Sequence, residues 1–359
     1  MSPSAIVRGL TPVMAGAGMA VRHSLSRVRT PVCDLLGIDV PIVQAPIGSA
    51  SVPGLAAALS EAGALGTIAL SWTEPEDVAA LVDDVRARTS KPFHANILLE
   101  WPPEGRIEAV LESGVRIVSL AWGDPTPYVE RVHAAGALLI GTAGTAGQAK
   151  QLADAGIDVI CAQGWEAGGH VWGEVATLAL VPAVVDAVSP TPVLAAGGIV
   201  DGRGIAAALA LGAQGVWIGT RFLLAEEAPI HPEYRERLLR AQAEDAVYAR
   251  DLFDVGWEDA PHRALRNSTR DRWEAAGSPA PGKRPGEGER VATRADGTPI
   301  VRYSSAMPVA GLSGDIEALS MWSGQGIGLA DRVQPAAEIV RELVDETEQV
   351  VAALAGHAR

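Results

Sequence analysis

The sequence predicts an α/β fold, specifically a (β/α)8 TIM barrel built from eight parallel strands and their helices. Eight short, β-branched apolar runs recur, and each is followed by a helical segment. This alternation is typical of a parallel sheet covered by helices. The count of eight favours a closed barrel over the alternative, an open doubly wound sheet. The eight runs are Pro41–Ala45, Leu65–Leu70, Phe93–Leu99, Arg116–Leu120, Leu138–Gly141, Asp158–Ala162, Val193–Ala196 and Val216–Gly219.

The segments between these runs have the 3.6-residue apolar spacing of amphipathic helices. Several of them end at a glycine, at Gly63, Gly136, Gly156 and Gly212. Glycine adopts the left-handed conformation that terminates a helix, so each helix is predicted to stop there and a strand to follow. The predicted helices are Pro53–Ala62, Glu76–Arg88, Tyr128–Ala135, Ala146–Ala155, Leu180–Val188 and Gly204–Leu211.

The regular pattern ends after Phe222. Residues 223–254 read as helix, Asp271–Thr298 reads as an exposed and flexible excursion rich in Pro, Gly and charge, and an amphipathic helix near Pro335–Leu354 closes the chain. We therefore expect residues 223–330 to be an insertion between the eighth strand and the last helix. Residues 34–222 and 331–359 would form the barrel, and the insertion would be a lid at its mouth.

Composition excludes several classes of protein. With 359 residues and 48% hydrophobic content the chain can bury a sizeable core. A net charge of −14 argues against binding to nucleic acid or an anionic membrane, and no apolar run is long enough to span one. Two cysteines, Cys33 and Cys161, give neither a disulfide framework nor a metal site, which favours a cytoplasmic setting. Residues 1–33 contain no acidic side chain and read as a flexible or loosely docked leader, with a targeting peptide as the alternative.

Two glycine-containing strand ends predict an anion site. Gly197-Gly198 follows the seventh strand, and Gly219-Thr220-Arg221 ends the eighth. In TIM barrels these loops present unsatisfied backbone N–H groups that bind phosphate, and glycine lets the phosphate approach closely. Thr220 and Arg221 could add donors. The alternative is that the glycines only form turns.

The loop Gln163–Gly173 follows the sixth strand, where barrel enzymes place their chemistry. It contains Glu166, His170 and two tryptophans, of which Trp172 would add bulk at the mouth. An imidazole can remove a proton from carbon or hold an anionic substrate, so His170 is the catalytic candidate. The other loop and helix histidines are predicted to be structural or exposed, namely His23, His133, His231, His262 and His357.

Asn96 is an amide within the otherwise apolar third strand and must find a hydrogen-bond partner. The edge of a flavin ring would suit it, and a protein group is the alternative. His94 lies on the same strand face and could form a second polar wall. Gln44, with the turn Ala45–Gly48, would lie under the same ring.

These motifs together resemble the nitronate monooxygenase family. The resemblance rests on Pro41–Pro46, Asn96, the loop Gln163–His170, Ala195–Ile199 and Gly219–Phe222, and it runs through residues 34–225. Ser323–Gly326 also looks like the family's closing segment. Val171-Trp172-Gly173 departs from the pattern, since many relatives have one residue between the histidine and the glycine.

The resemblance implies an FMN-dependent TIM-barrel enzyme that oxidises alkyl nitronates with O2 to carbonyl compounds and nitrite. His170 would act as base or orient the nitronate. No metal and no nucleic-acid or membrane partner is expected, and a homodimer is left open. The residues expected to hold FMN are Gln44, Asn96, Gln163, Gly168, Gly197, Gly198, Trp217, Ile218, Gly219, Thr220 and Gln325.

Two other functions stay open. An FMN- and NAD(P)H-dependent enoyl-acyl-carrier-protein reductase would share the Gly-Gly-His loop, but it needs a basic landing surface that this acidic chain offers poorly. A non-catalytic barrel that binds a phosphate ligand is the third hypothesis. The pairing of Glu166 with His170 in one loop argues against it.

Overall fold

The fold was analysed in a computed structural model, which describes residues 28–357. Eight strands form one sheet in which neighbouring strands are parallel. A bridge between Val43 and Leu65 joins the first strand to the second and closes the barrel. The TIM-barrel prediction is therefore confirmed. The first nine strands are β1 (Ile42–Gln44), β2 (Gly66–Ala69), β3 (Phe93–Leu98), β4 (Ile117–Ala121), β5 (Leu138–Ala143), β6 (Val159–Gln163), β7 (Gly169–His170), β8 (Val193–Ala196) and β9 (Gly215–Ile218), and all except β7 belong to the barrel.

Helices surround the barrel and bury its outer face against side chains such as Leu55, Val82 and Ile205. Sequence reasoning missed α4, a short helix whose pattern spans only two turns. No helix in the described part of the chain has the length and apolarity needed to cross a bilayer. The helices before the insertion are α1 (Pro31–Leu36), α2 (Pro53–Glu61), α3 (Pro75–Arg88), α4 (Arg106–Glu112), α5 (Val129–Ala134), α6 (Ala146–Asp154), α7 (Thr177–Val188) and α8 (Gly202–Ala210).

Helix α1 closes the bottom of the barrel. Val32 and Cys33 are fully buried and pack with the lower ends of the strands, including Val43 and Leu194. The prediction of a flexible leader reaching residue 33 is therefore wrong at its end, because apolar residues there cover the open base of the barrel. The rest of that leader, with His23, lies outside the described residues.

The insertion contains less helix than predicted. Residues 223–254 were expected to be helical, but only one α-helix forms there, and the rest is short 3-10 turns and a strand. Asp271–Thr298, expected to be a flexible excursion, contains part of a helix and a strand, and its Arg284 is buried against Asp254 at 2.6 Å. The insertion's elements are α9 (Pro232–Arg240), β10 (Ala246–Ala249), β11 (His262–Leu265), α10 (Ser268–Ala275), β12 (Arg290–Thr293), β13 (Pro299–Val301) and β14 (Ser313–Gly314), and α11 (Ala336–His357) follows it.

The insertion has a core of its own, and one of its strands pairs with the loop that follows β6. Tyr234, Leu238 and Met321 are fully buried in that second core. Strand β11 pairs antiparallel with β7, so that His262 lies opposite His170 and Arg263 opposite Gly169. The insertion thereby extends the loop between β6 and α7 into a three-stranded sheet with β10.

Candidate active site

A cavity of about 620 Å³ lies at the carboxyl ends of the barrel strands, between the barrel loops and the insertion. This is the end where TIM-barrel enzymes place their chemistry, and the volume is typical of a small-molecule site. Nine of the sequence-predicted site residues line it, namely Asn96, Gln163, Gly168, His170, Gly197, Gly198, Trp217, Gly219 and Thr220. Within residues 28–357 no cluster of three or more His, Cys, Asp or Glu side chains could hold a metal ion.

Three residues expected to hold the cofactor do not line the cavity. Gln44 is fully buried, and its Oε1 accepts a hydrogen bond from the Thr67 backbone N–H at 2.8 Å. Ile218 points into the apolar core between barrel and helices. Gln325 donates its backbone N–H to the Glu166 carbonyl oxygen at 3.0 Å, while its neighbours on either side face the cavity. These residues support the walls of the site.

The predicted anion site is built from backbone. Gly197 and Gly198 have φ of +108° and +72°, a conformation that side-chain-bearing residues rarely adopt. The N–H groups of Gly198 and Thr220 take part in none of the hydrogen bonds found among the described residues. The Thr220 hydroxyl accepts a hydrogen bond from Gly324 N–H at 2.9 Å. Two free backbone donors therefore remain where a phosphate would lie.

Arg221 does not contribute to that anion site. Its guanidinium is buried on the far side of the loop, where it bonds Gln334 and lies 3.9 Å from Glu342. Burial lowers the pKa of Arg221, although the Glu342 carboxylate opposes this. The expectation that Arg221 adds a phosphate donor is wrong, because the 3-10 turn after β9 directs the side chain toward α11.

Asn96 lines the cavity but already has a protein partner. Its Nδ2 donates to the Ser119 hydroxyl at 2.9 Å, which is the alternative that the sequence left open. His94 is fully buried below it, within hydrogen-bond distance of the Thr67 hydroxyl and 5.0 Å from the Trp217 ring. Burial lowers the pKa of His94 to about 3. His94 is therefore a neutral support of the site and not a wall of the cavity.

The loop that carries His170 is fixed by its own polar side chains. Gln163 donates to the His170 carbonyl oxygen at 3.1 Å and accepts from the Trp172 N–H at 2.7 Å. Glu166 accepts from both the backbone N–H and the hydroxyl of Thr177, at 2.8 and 2.7 Å. A carboxylate at this position caps the start of α7. Glu166 thus orders the loop and is already occupied by these contacts.

The His170 imidazole has one buried nitrogen, Nε2, that bonds nothing in the described chain. The ring stacks on Trp257 with centroids 3.7 Å apart, and Trp122 and Trp322 lie 5.6 and 5.1 Å away. Burial, with a smaller contribution from His262, lowers the pKa of His170 well below its usual 6.5. The imidazole is therefore neutral near pH 7 and can accept a proton.

Sequence reasoning placed Trp172 and Trp217 at the site but missed the rest of the aromatic wall of the cavity. Trp257 and Trp322 come from the insertion, and Trp122 follows β4 with an unusual φ of +58°. The available signal was compositional, since nine of only sixteen aromatic residues are tryptophan. Six of those nine line the cavity, namely Trp72, Trp122, Trp172, Trp217, Trp257 and Trp322.

Arg263 was also missed. It is buried, yet its guanidinium meets carbonyl oxygens in place of a carboxylate, at Ala167, Ala246 and Trp165. The guanidinium also lies 5.3 Å from the Trp165 ring centroid, a cation–π contact. Burial lowers the pKa of Arg263, and Glu166 opposes that effect. Arg263 ties the insertion to the His170 loop.

Glycines bring three loops into backbone contact around the anion site. A Cβ at Gly168 would lie 2.2 Å from the Gly324 nitrogen, and one at Gly326 would lie 2.5 Å from the Gly198 oxygen. Neither position can therefore carry a side chain without moving a loop. This packing explains why the segment 323–326 contains glycines and why Gly168 is needed.

These features match one known family over most of the chain. The profile of the nitronate monooxygenase family matches residues 29–104 and 100–346. The chain belongs to the nitronate monooxygenase family. It is accordingly an enzyme, a flavoprotein oxidoreductase of the family that oxidises nitronates. The resemblance seen in the sequence is confirmed.

The relatives of this nitronate monooxygenase family member are named for more than one activity. It is 35% identical over 361 residues to the nitronate monooxygenase of Pseudomonas aeruginosa, a match that covers 87% of this chain and 97% of the relative. It is 39% identical over 252 residues, covering 69% of each chain, to (3aS,4S,5R,7aS)-5-hydroxy-7a-methyl-1-oxo-octahydro-1H-indene-4-carboxyl-CoA dehydrogenase of Mycobacterium tuberculosis.

Solved structures give the same picture. FabK from Thermotoga maritima superposes with a TM-score of 0.75 at 32% identity, covering 92% of this chain and 99% of that one. A nitroalkane oxidase from Streptomyces ansochromogenes superposes with a TM-score of 0.73 at 28% identity, covering 90% and 99%.

Proposed function

We propose that this protein binds FMN in the cavity and oxidises alkyl nitronates, and neutral nitroalkanes, with O2 to carbonyl compounds and nitrite. The observation that supports this proposal best is that His170, whose buried Nε2 has no partner in the described chain, lines the same cavity as two residues with free backbone donors. A base and an anion site that share one cavity suit an enzyme with a phosphorylated cofactor and an acidic carbon substrate.

FMN fits the residues present. Gly197, Gly198, Gly219 and Thr220 would hold its phosphate through backbone N–H groups, and Asn96 and Gln163, which line the same cavity, would face its ring. When bound, the flavin supplies the redox chemistry that the side chains lack. Trp217 lines the cavity, and the buried His94 ring supports it from below.

His170 would act on the α-carbon of the substrate. With a neutral nitroalkane, Nε2 accepts the α-proton, the C–H electron pair moves into the C=N bond, and negative charge collects on the nitro oxygens. With a preformed nitronate no proton needs to leave, and the imidazole only orients the anion. The tryptophans around the ring exclude water and hold the imidazole in place.

Substitution of His170 by asparagine tests this role. The His170→Asn variant should stay yellow but lose turnover of freshly dissolved neutral nitroethane by about 10²–10⁴-fold, the usual contribution of a general base. Turnover of ethyl nitronate should fall much less. His231→Asn is a matched control, because asparagine is a good residue for the cap that His231 provides to α9. Unchanged nitroethane turnover in His170→Asn would show that the assigned role is wrong.

Two measurements separate the competing functions. The purified protein should absorb in the flavin band and release nitrite from a nitronate under air. Anaerobic bleaching of the flavin by NADH or NADPH, without bleaching by propionate 3-nitronate, would favour the enoyl-acyl-carrier-protein reductase. A colourless protein that takes up no FMN would favour a non-catalytic phosphate-binding barrel. A cytoplasmic location is part of the proposal, since both cysteines are free and buried.

A further inference from the structure

Two residues that line the cavity each carry a buried nitrogen with no hydrogen-bond partner in the described chain. One is Nε2 of His170, and the other is Nε1 of Trp257. An indole nitrogen can only donate. A buried donor without an acceptor costs about 1–3 kcal/mol, so native proteins rarely retain one without a reason. The Trp257 N–H therefore lacks an acceptor that a bound molecule could supply.

The two rings are close enough to serve one small ligand. Their centroids are 3.7 Å apart and their planes are inclined by 30°. Trp257 is only 5% exposed and is fixed between the edges of Trp101 and Trp122, each with its centroid 5.1 Å away. A donor held in this way loses little entropy when it binds.

The backbone also anchors Trp257. The backbone N–H of Trp257 donates to the Asp254 carbonyl oxygen at 2.8 Å. The Asp254 carboxylate forms a buried ion pair with Arg284. Arg284 in turn lies 4.4 Å from the centre of the Tyr303 ring. The insertion thus uses a buried charge pair to fix the turn that presents Trp257 to the barrel.

We infer that Trp257 binds the oxygen atoms of the substrate: its indole N–H donates to an oxygen of the nitro or nitronate group while His170 Nε2 faces the α-carbon. This assignment rests on the proposed function and names a further catalytic residue for it. The ligand class is a planar anion with two oxygens on one centre. When His170 removes the proton, charge grows on those oxygens, and the hydrogen bond from Trp257 strengthens as it does so.

A carboxylate of similar size tests the assignment without turnover. Butyrate is planar at its head, carries the same charge as a nitronate and cannot be oxidised here. In the FMN-loaded protein, Trp257→Phe keeps an aromatic ring and removes only the donor. It should weaken butyrate binding, measured by calorimetry, about 10-fold or more, as expected for a lost hydrogen bond to a charged group. It should also lower kcat/KM for ethyl nitronate by about 10–100-fold.

Trp101→Phe is the matched control. Trp101 contacts the Trp257 ring but does not line the cavity, so its variant should bind butyrate within about twofold of the wild type. A spectroscopic measurement on the wild-type protein gives a second test of the assignment. With 15N-labelled tryptophan the nine indole N–H groups give a simple spectrum. The Trp257 signal, identified by its loss in Trp257→Phe, should move when butyrate saturates the site.

Several results would overturn the assignment. These are unchanged butyrate affinity in Trp257→Phe, a wild-type protein that binds no butyrate, or nine indole signals that all stay in place at saturation. The last result is obtained with the wild-type protein, so it would overturn the assignment even if Trp257→Phe fails to fold. It would direct attention to Arg294, an exposed cation that also lines the cavity. A butyrate-dependent shift of Trp257 in a protein that releases no nitrite would instead refute the proposed function and leave Trp257 as a donor to a planar anion other than a nitronate.

Discussion

Arg263 donates a hydrogen bond from Nη2 to the backbone carbonyl oxygen of Trp165, at 2.7 Å. Its other nitrogens reach the carbonyl oxygens of Ala167 and Ala246, each at 3.1 Å. One buried side chain therefore joins the loop that carries His170 to two strands of the insertion. Because the partners are carbonyls, the contact depends on the fork of donors that only arginine has.

Replacement of Arg263 by methionine keeps the length of the side chain and removes these donors. We expect the variant to be destabilised by roughly 3 kcal/mol, since two buried carbonyl oxygens and one partly buried carbonyl oxygen lose their partner, and to lose flavin because the loop is displaced. Urea unfolding and the flavin absorbance of the purified protein measure both effects. Arg266→Met is the control, because Arg266 pairs with Glu274 on the surface, where ion pairs contribute little. Equal stability of the two variants would contradict the structural role assigned to Arg263.

The barrel could be predicted from the sequence, whereas the contacts of Arg263 could not. The barrel strands could be predicted from local patterns, because each β-branched run and each helix-ending glycine lies within a single strand–helix unit. The pairing of β7 with β11 joins residues about ninety positions apart. Such antiparallel pairs leave no local signature, and β7 has only two residues. The partners of Arg263 and the position of Trp257 could not be derived for the same reason.

The free energy of unfolding should fall more steeply with decreasing pH than protonation of the carboxylates alone would cause. Burial lowers the pKa of His94 to about 3 and of His262 to about 4. Both are therefore neutral when folded but protonated when unfolded below pH 6.5. The unfolded state then binds more protons, so stability is full above pH 6.5 and falls as the pH decreases toward these folded values.

Denaturant unfolding between pH 6.5 and 5 measures that slope. His94→Gln can keep a hydrogen bond to Thr67 without titrating, so its slope should be shallower by one proton, about 1.4 kcal/mol per pH unit at the acid end. The variant should be less stable than the wild type at pH 7.5, and this difference in stability should be smaller at pH 5. A variant with the wild-type slope would mean that His94 is protonated in the folded protein.

Gly168 should be intolerant of a methyl group. Its Cβ would lie 2.2 Å from the backbone nitrogen of Gly324, so Gly168→Ala must separate the two loops over the anion site. We expect the affinity for FMN to fall by at least about 10-fold, measured by fluorescence titration of the apoprotein. Gly54→Ala is the matched control, since nothing lies within 4 Å of its Cβ. Equal FMN affinity in both variants would show that the loops can separate freely.

The site itself was predicted unevenly, and the reason is chemical. Glycines that need a positive φ, such as Gly197 and Gly198, can be identified in sequence because few other residues fit there. Polar side chains are ambiguous, because an amide or carboxylate satisfies either a ligand or the protein. Gln163, Glu166 and Asn96 all bond the protein, and only the folded structure distinguishes those two uses.

Trp172 should limit the size of the substrate. Its backbone is fixed by Gln163, while its ring lines the cavity edge-on to Trp122 at 5.0 Å. Trp172→Leu therefore enlarges the mouth without releasing the loop. We expect kcat/KM for a branched nitronate, divided by that for ethyl nitronate, to rise about 10-fold, the discrimination typical of a changed apolar wall. The ratio cancels any loss of flavin, which lowers both rates equally. A ratio that stays constant would mean that the substrate enters by a route that does not pass Trp172.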